Sequence, residues 1–214
     1  MTKRAYALDA LRGYAIITMV LSATVAWNSL PGWMYHAQTP PPDRAFDASL
    51  SGITWVDLVF PFFLFAMGAA FPFSIKKRFE KGDTKLRLVY EAIKRGAQLT
   101  FFAIFIQHFY PYMLSSPQDI RAWLLAILCF AVLFPMFMRI PLKMPDWVHI
   151  SIKVGAYIVA AIMLATTSYA DGKTFSLFSS NIIILLLANM AIFGSILYIF
   201  TMHNRWMRLG ILIL

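Results

Sequence analysis

Residues 52–74 read GITWVDLVFPFFLFAMGAAFPFS, an apolar run of membrane length that carries a single carboxylate, Asp57. About 20 apolar residues cross a bilayer core as a helix, so this stretch is long enough to span once. An acid inside such a helix is expensive and marks a functional position by default. Pro61, four residues on, has no N–H, which deprives the Asp57 carbonyl of its intrahelical partner and favours a kink there. Gly68-Ala69-Ala70 supplies small side chains for close helix packing.

The rest of the chain has the same character. Of its 214 residues 60% are hydrophobic and 14% charged, a composition that excludes an ordinary soluble domain and implies an integral membrane protein. The 16% of aromatic residues fits rings seated at the membrane interfaces. Cys129 is the single cysteine, so no intrachain disulfide forms. A net charge of +9 raises the question of a polyanionic partner, but in a membrane protein the position of the charge comes first, and no nucleic acid is expected.

Apolar runs at about 7–27, 53–75, 89–109, 122–138, 148–170 and 182–202 predict an all-α, polytopic transmembrane helical bundle of six spans in one domain over 1–214. A seventh run begins at Trp206 and stops at Leu214, so the chain is expected to be the N-terminal fragment of a longer multispan protein, inactive alone. The first run resembles a signal peptide, with Thr24-Val25-Ala26 as a passable cleavage site. Asp9 and Arg12 argue for an uncleaved span: at i and i+3 they share a helix face, as a mutually neutralising pair or as ligand contacts. Between the first two runs, Asn28 to Ser51 contains Pro31 and Pro40-Pro41-Pro42 and is read as a loop.

With loops alternating sides, fifteen basic residues fall on one side and three on the other, Arg12 lying within span one. Eight of the fifteen lie between Lys76 and Arg95. The positive-inside rule makes the N-terminus and the 76–95 loop cytoplasmic. Asp57 then stands at the outer end of its helix, on the same side as His36, and the two can meet. An imidazole held by a carboxylate is a competent general base; the bland alternative is a loop histidine satisfied by water. The 76–95 cations could bind a polyanionic ligand such as a nucleotide-bearing cofactor, but composition alone favours a topology determinant touching anionic lipid head groups. His108 is read as interfacial. No Gly-rich phosphate loop and no metal-ligand spacing is present, so no metal is expected.

Leu8-Asp9-Ala10-Leu11-Arg12-Gly13, His36-Ala37, Gly52-Ile53-Thr54 and Asp57-Leu58-Val59-Phe60-Pro61-Phe62-Phe63 together resemble the heparan-α-glucosaminide N-acetyltransferase family and its bacterial relatives. Ile182 to Gly194 is similar to a bacterial membrane acyltransferase-like branch of it. The likeness covers nearly the whole chain and about the first half of a family member. It implies an enzyme that takes acetyl from cytoplasmic acetyl-CoA and places it on a sugar or glycan on the other side. It further implies that His36 and Asp57 are catalytic, His36 as base or transient acyl carrier. Arg12, Lys76, Lys77 and Arg78 would then take the CoA phosphates, with Asp9, Asn28, Pro61 and Gly68 supporting the site. Two departures stand out: a proline-rich insertion after Ala37, and Ala23 where the family has an asparagine, for which Asn28 is the substitute. The expected partners are the bilayer and the glycan acceptor, with a homo-oligomer left open. The rival reading is a non-enzymatic transporter or exporter component for a glycan or small molecule, with Asp57, Gln98 and Asn189 lining a path.

Overall fold

The computed structural model describes residues 6–24, 29–40, 43, 45–138 and 144–213. Among them no strand occurs, and the chain is all-α. Its helices are α1 (Tyr6–Thr24), α2 (Trp55–Glu80), α3 (Lys85–His108), a short α4 (Pro111–Leu114), α5 (Ile120–Phe137) and α6 (Asp146–Thr166). They are followed by α7 (Ile182–Thr201), which contains a π-helical turn at Met190–Gly194, and by α8 (Arg205–Ile213). Helices α2, α5, α6 and α7 are long and apolar enough to cross a membrane. Side chains such as Phe65, Phe73, Phe130, Ile158 and Phe193 face outward from them, where a soluble protein carries polar groups. The chain is an integral membrane protein. Helices α1 and α3 lie at the expected first and third spans but carry charges in their first turns.

One expectation needs correction. Residues 76–95 are not a loop: α2 continues to Glu80 and α3 begins at Lys85, leaving four connecting residues. Lys, Arg and Glu are good helix formers, so the basic run extends both helices instead of breaking them.

The chain divides into two compact units, Met1–Ala92 with Ile192–Leu214, and Ile93–Ala191. In the first, α1 packs along α2. Ala15 and Ala66 are fully buried, and such small side chains let helices approach closely. Helix α2 stays helical through Pro61 and Pro72, so the carbonyls of Asp57 and Gly68 lack their i+4 donors. It ends in a Schellman motif: the Gly82 N–H donates to the Phe79 carbonyl at 2.9 Å and the Asp83 N–H to the Arg78 carbonyl at 3.1 Å. Gly82 supplies the required left-handed conformation with φ of 90°. Ile75, Leu88 and Ile199 form a small core with Phe71, Phe79 and Tyr198 around it. At the end of α7, Arg208 Nη2 donates to the Thr201 carbonyl at 3.1 Å, a favourable place for a cation.

In the second unit α5 packs on α6, with Cys129, Leu133, Met136, Ala156, Ala160 and Met163 in one core. Phe105 joins it, its ring 5.7 Å from Phe101 and 4.9 Å from Phe109. Asp119 and Asn181 cap α5 and α7 by accepting from the Ala122 and Ile184 N–H groups. His108, expected at the interface, is instead a core residue with 1% of its surface exposed. Its Nδ1–H donates to the Ile104 carbonyl at 2.8 Å and its Nε2 accepts the Ser176 N–H at 3.2 Å. One partner only accepts and the other only donates, so the tautomer follows from the partners.

Because a Cβ at residue 82 would meet open space, Gly82→Ala isolates the backbone cost of the positive φ. The variant is expected to lose roughly 1 kcal/mol, read as a lowered thermal midpoint in detergent; an unchanged midpoint would show that the turn does not depend on this conformation.

Candidate active site

The site is assembled at the start of α2. Thr54 is the N-cap and Asp57 the third helical residue of a capping box, and Asp57 Oδ2 accepts the Thr54 N–H at 2.8 Å. Its Oδ2 also accepts the Ala37 N–H at 3.3 Å, and its Oδ1 accepts from His36 Nδ1 at 2.5 Å. The Thr54 hydroxyl lies 2.5 Å from the Tyr35 carbonyl and 3.0 Å from Asp57 Oδ2, and its one proton serves the shorter contact. Three consecutive loop residues, Tyr35, His36 and Ala37, are thereby stitched to the first turn of one helix.

The other arm of the loop meets these residues at Gly52. Gly52 has φ of 139°, which L side chains rarely adopt, and a Cβ there would stand 3.6 Å from that of Ala37. Gln38 Nε2 donates to the Gly52 carbonyl at 3.3 Å, and the Gln38 carbonyl accepts the Asp47 N–H at 2.8 Å. Trp55 Nε1–H donates to the Tyr14 hydroxyl at 2.8 Å, tying the middle of α1 to the same turn.

Chemically, the pair is asymmetric. The Asp57 side chain is 19% exposed and surrounded by donors, whereas that of His36 is 56% exposed. With Nδ1–H given to the carboxylate, Nε2 carries the imidazole lone pair and is the nitrogen able to take a proton or attack a carbonyl carbon.

The other residues singled out in the sequence are spread along the same unit. Asp9 and Arg12 are both exposed on α1, Arg12 two residues before Tyr14. Pro61 is exposed in the second turn of α2 and Gly68 half-buried at its middle. Lys76 and Lys77 are exposed in its last turns, about 30 Å from Asp57 at 1.5 Å of rise per residue. Asn28 lies outside the described residues. Arg78 is already engaged: its Nε donates to Asp83 Oδ2 at 2.7 Å, and Arg87 Nη1 lies 3.4 Å from Asp83 Oδ1. Sequence reasoning missed Asp83, and it missed Thr54 as a site residue, although Thr54-x-x-Asp57 before an apolar run is a helix-start signature.

The Arg78 hydrogen bond, aided by the charges of Arg87 and Lys81, holds the Asp83 carboxyl below the usual carboxylate range. A depressed folded value means that its contribution to stability is complete above the unfolded value of about 3.9 and is lost as pH falls through the folded one. Asp83→Asn is therefore expected to unfold at lower temperature than wild type at neutral pH, with the gap closing in acid. A gap independent of pH would show that the ion pair is not its source.

The matching of this chain to other proteins adds membership without chemistry. No curated protein and no solved structure matches it. A family model does, over residues 4–214, and the chain belongs to that family, described as Domain of unknown function (DUF5009).

Proposed function

We propose that the chain carries the histidine site of a membrane-embedded acyltransferase. It would move an acetyl group from cytoplasmic acetyl-CoA to a sugar or glycan acceptor on the extracytoplasmic side. The observation that carries this reading is the His36 Nδ1 contact on Asp57 at 2.5 Å, with the carboxylate fixed by Thr54 and Ala37. The motif likeness to the heparan-α-glucosaminide N-acetyltransferase family points the same way, as do the outward-facing apolar helices. In this proposal the basic ends of α2 and α3 face the cytoplasm and His36 faces outward, in the sense the charge distribution favours.

In the transfer, His36 Nε2 takes a proton from the acceptor amine or hydroxyl as that group attacks the thioester carbonyl carbon. The C–S bond breaks, the new amide or ester forms, and CoA leaves as a thiolate that takes up a proton. In the covalent variant Nε2 itself attacks the carbonyl carbon and hands the acyl group on. Asp57 serves both routes by orienting the ring and stabilising the imidazolium. Lys76 and Lys77 are better placed to meet CoA phosphates than Arg78, whose guanidinium is held by Asp83.

In membranes carrying the protein, His36→Ala is expected to lower acetyl-CoA-dependent acylation of a glucosamine acceptor by roughly 100- to 10,000-fold, the usual weight of a general base. Asp57→Asn should lower turnover while leaving the KM for acetyl-CoA close to wild type. Unchanged turnover in His36→Ala would sink the proposal.

A further inference from the structure

A second site is built in the Ile93–Ala191 unit, by residues that the acyl-transfer reading does not use. Where α6 ends at Thr166, a cavity of about 500 Å³ opens, within the range of ligand pockets. Its lining is mainly apolar, with Ala161, Leu164 and Ala165 of α6 and Phe175; hydroxyl-bearing residues such as Ser168 and Thr174, and Lys173, supply a smaller polar part. The cavity is therefore amphipathic, with its apolar part along a membrane-length helix and its polar part beyond the helix end.

The segment that closes it is held in shape by the buried His108. The imidazole accepts the Ser176 N–H, and its ring lies 5.4 Å from that of Tyr169 and 5.0 Å from that of Phe175. Tyr169 and Phe175 both line the cavity. Gly172, with φ of 67°, turns the chain between them. Just beyond, Leu177 is 66% and Phe178 98% exposed. Neighbouring bare apolar side chains at the end of a spanning helix belong in the boundary between head groups and acyl chains, not in water.

We propose that this cavity holds an anionic phospholipid, its phosphate at Lys173 and the neighbouring hydroxyls and the start of one acyl chain along Ala161, Leu164 and Ala165. A lipid is favoured over a soluble anion because the apolar wall runs along the membrane-length helix α6 and the polar residues lie beyond its end, where the adjacent loop also exposes Leu177 and Phe178. The cation and the hydroxyl donors suit a phosphate, and the volume admits a head group with the upper part of a chain. This site is independent of whether the chain takes part in acyl transfer.

The test uses the wild-type chain in vesicles of phosphatidylcholine containing phosphatidylglycerol that bears a photoreactive group near its glycerol. Crosslinks are expected on residues 161–175, competed by unlabelled phosphatidylglycerol and several-fold less by phosphatidylcholine or inorganic phosphate. Lys173→Gln should bring the two lipids to parity, and Ala165→Trp, which fills the apolar wall, should reduce the crosslink several-fold for both. Crosslinks confined to other segments, or equal competition by phosphatidylcholine in wild type, would overturn the proposal. Competition by inorganic phosphate as strong as by the lipid would overturn the lipid assignment in favour of a soluble anion.

Discussion

A carboxylate in the first turn of a membrane-length helix must be surrounded by donors, and the region around Asp57 is shaped by that requirement. The helix offers one through its own cap, the Thr54 N–H. The others, the Ala37 N–H and His36 Nδ1–H, come from a loop some twenty residues earlier. An acid that recruits two of its donors from another segment fixes the path of that segment. The Tyr35 carbonyl on the Thr54 hydroxyl joins the same contact. A helix N-terminus also favours negative charge, so the acid and the helix start stabilise each other.

The opposite end of α2 is governed by the complementary charge. The Arg78 and Phe79 carbonyls of the last turn accept the Lys81, Gly82 and Asp83 N–H groups, and the Asp83 carboxylate draws in Arg78 and Arg87. Residue identities that look alike in a basic run are thus divided into cations spent on the turn and cations left on the surface. This division bears directly on the proposed donor site, since a guanidinium already held by a carboxylate is a poor additional phosphate ligand.

The four membrane-length helices α2, α5, α6 and α7 were legible in the sequence because an apolar run of about 20 residues has few alternatives in a membrane protein. The meeting of His36 and Asp57 was legible for a less local reason: sorting the basic residues put both on one side, whereas their spacing alone carried little. The helical nature of 76–80 and 85–88 was not legible, since a cluster of like charges reads as a solvated loop until Gly82 is recognised as the residue that ends α2. Nor was the burial of His108, which depends on Ser176, 68 residues away, offering an N–H at the right place. Contacts of that separation leave no periodic trace. The capping residue Thr54 was legible and overlooked, because its motif was read for the acid and not for the cap.

The two histidines show how partners decide what an imidazole can do. His108 gives its proton to the Ile104 carbonyl and receives one from the Ser176 N–H, so both nitrogens are consumed and the ring serves packing. His36 gives its proton to Asp57 and remains more than half exposed, so its second nitrogen faces the work of accepting a proton. A fully partnered histidine stabilises a fold; a half-partnered one, oriented by a fixed carboxylate, is in a state to react. By that criterion His36 Nε2 is the nitrogen the proposed transfer would use, and the residues that ready it are those that hold Asp57 still.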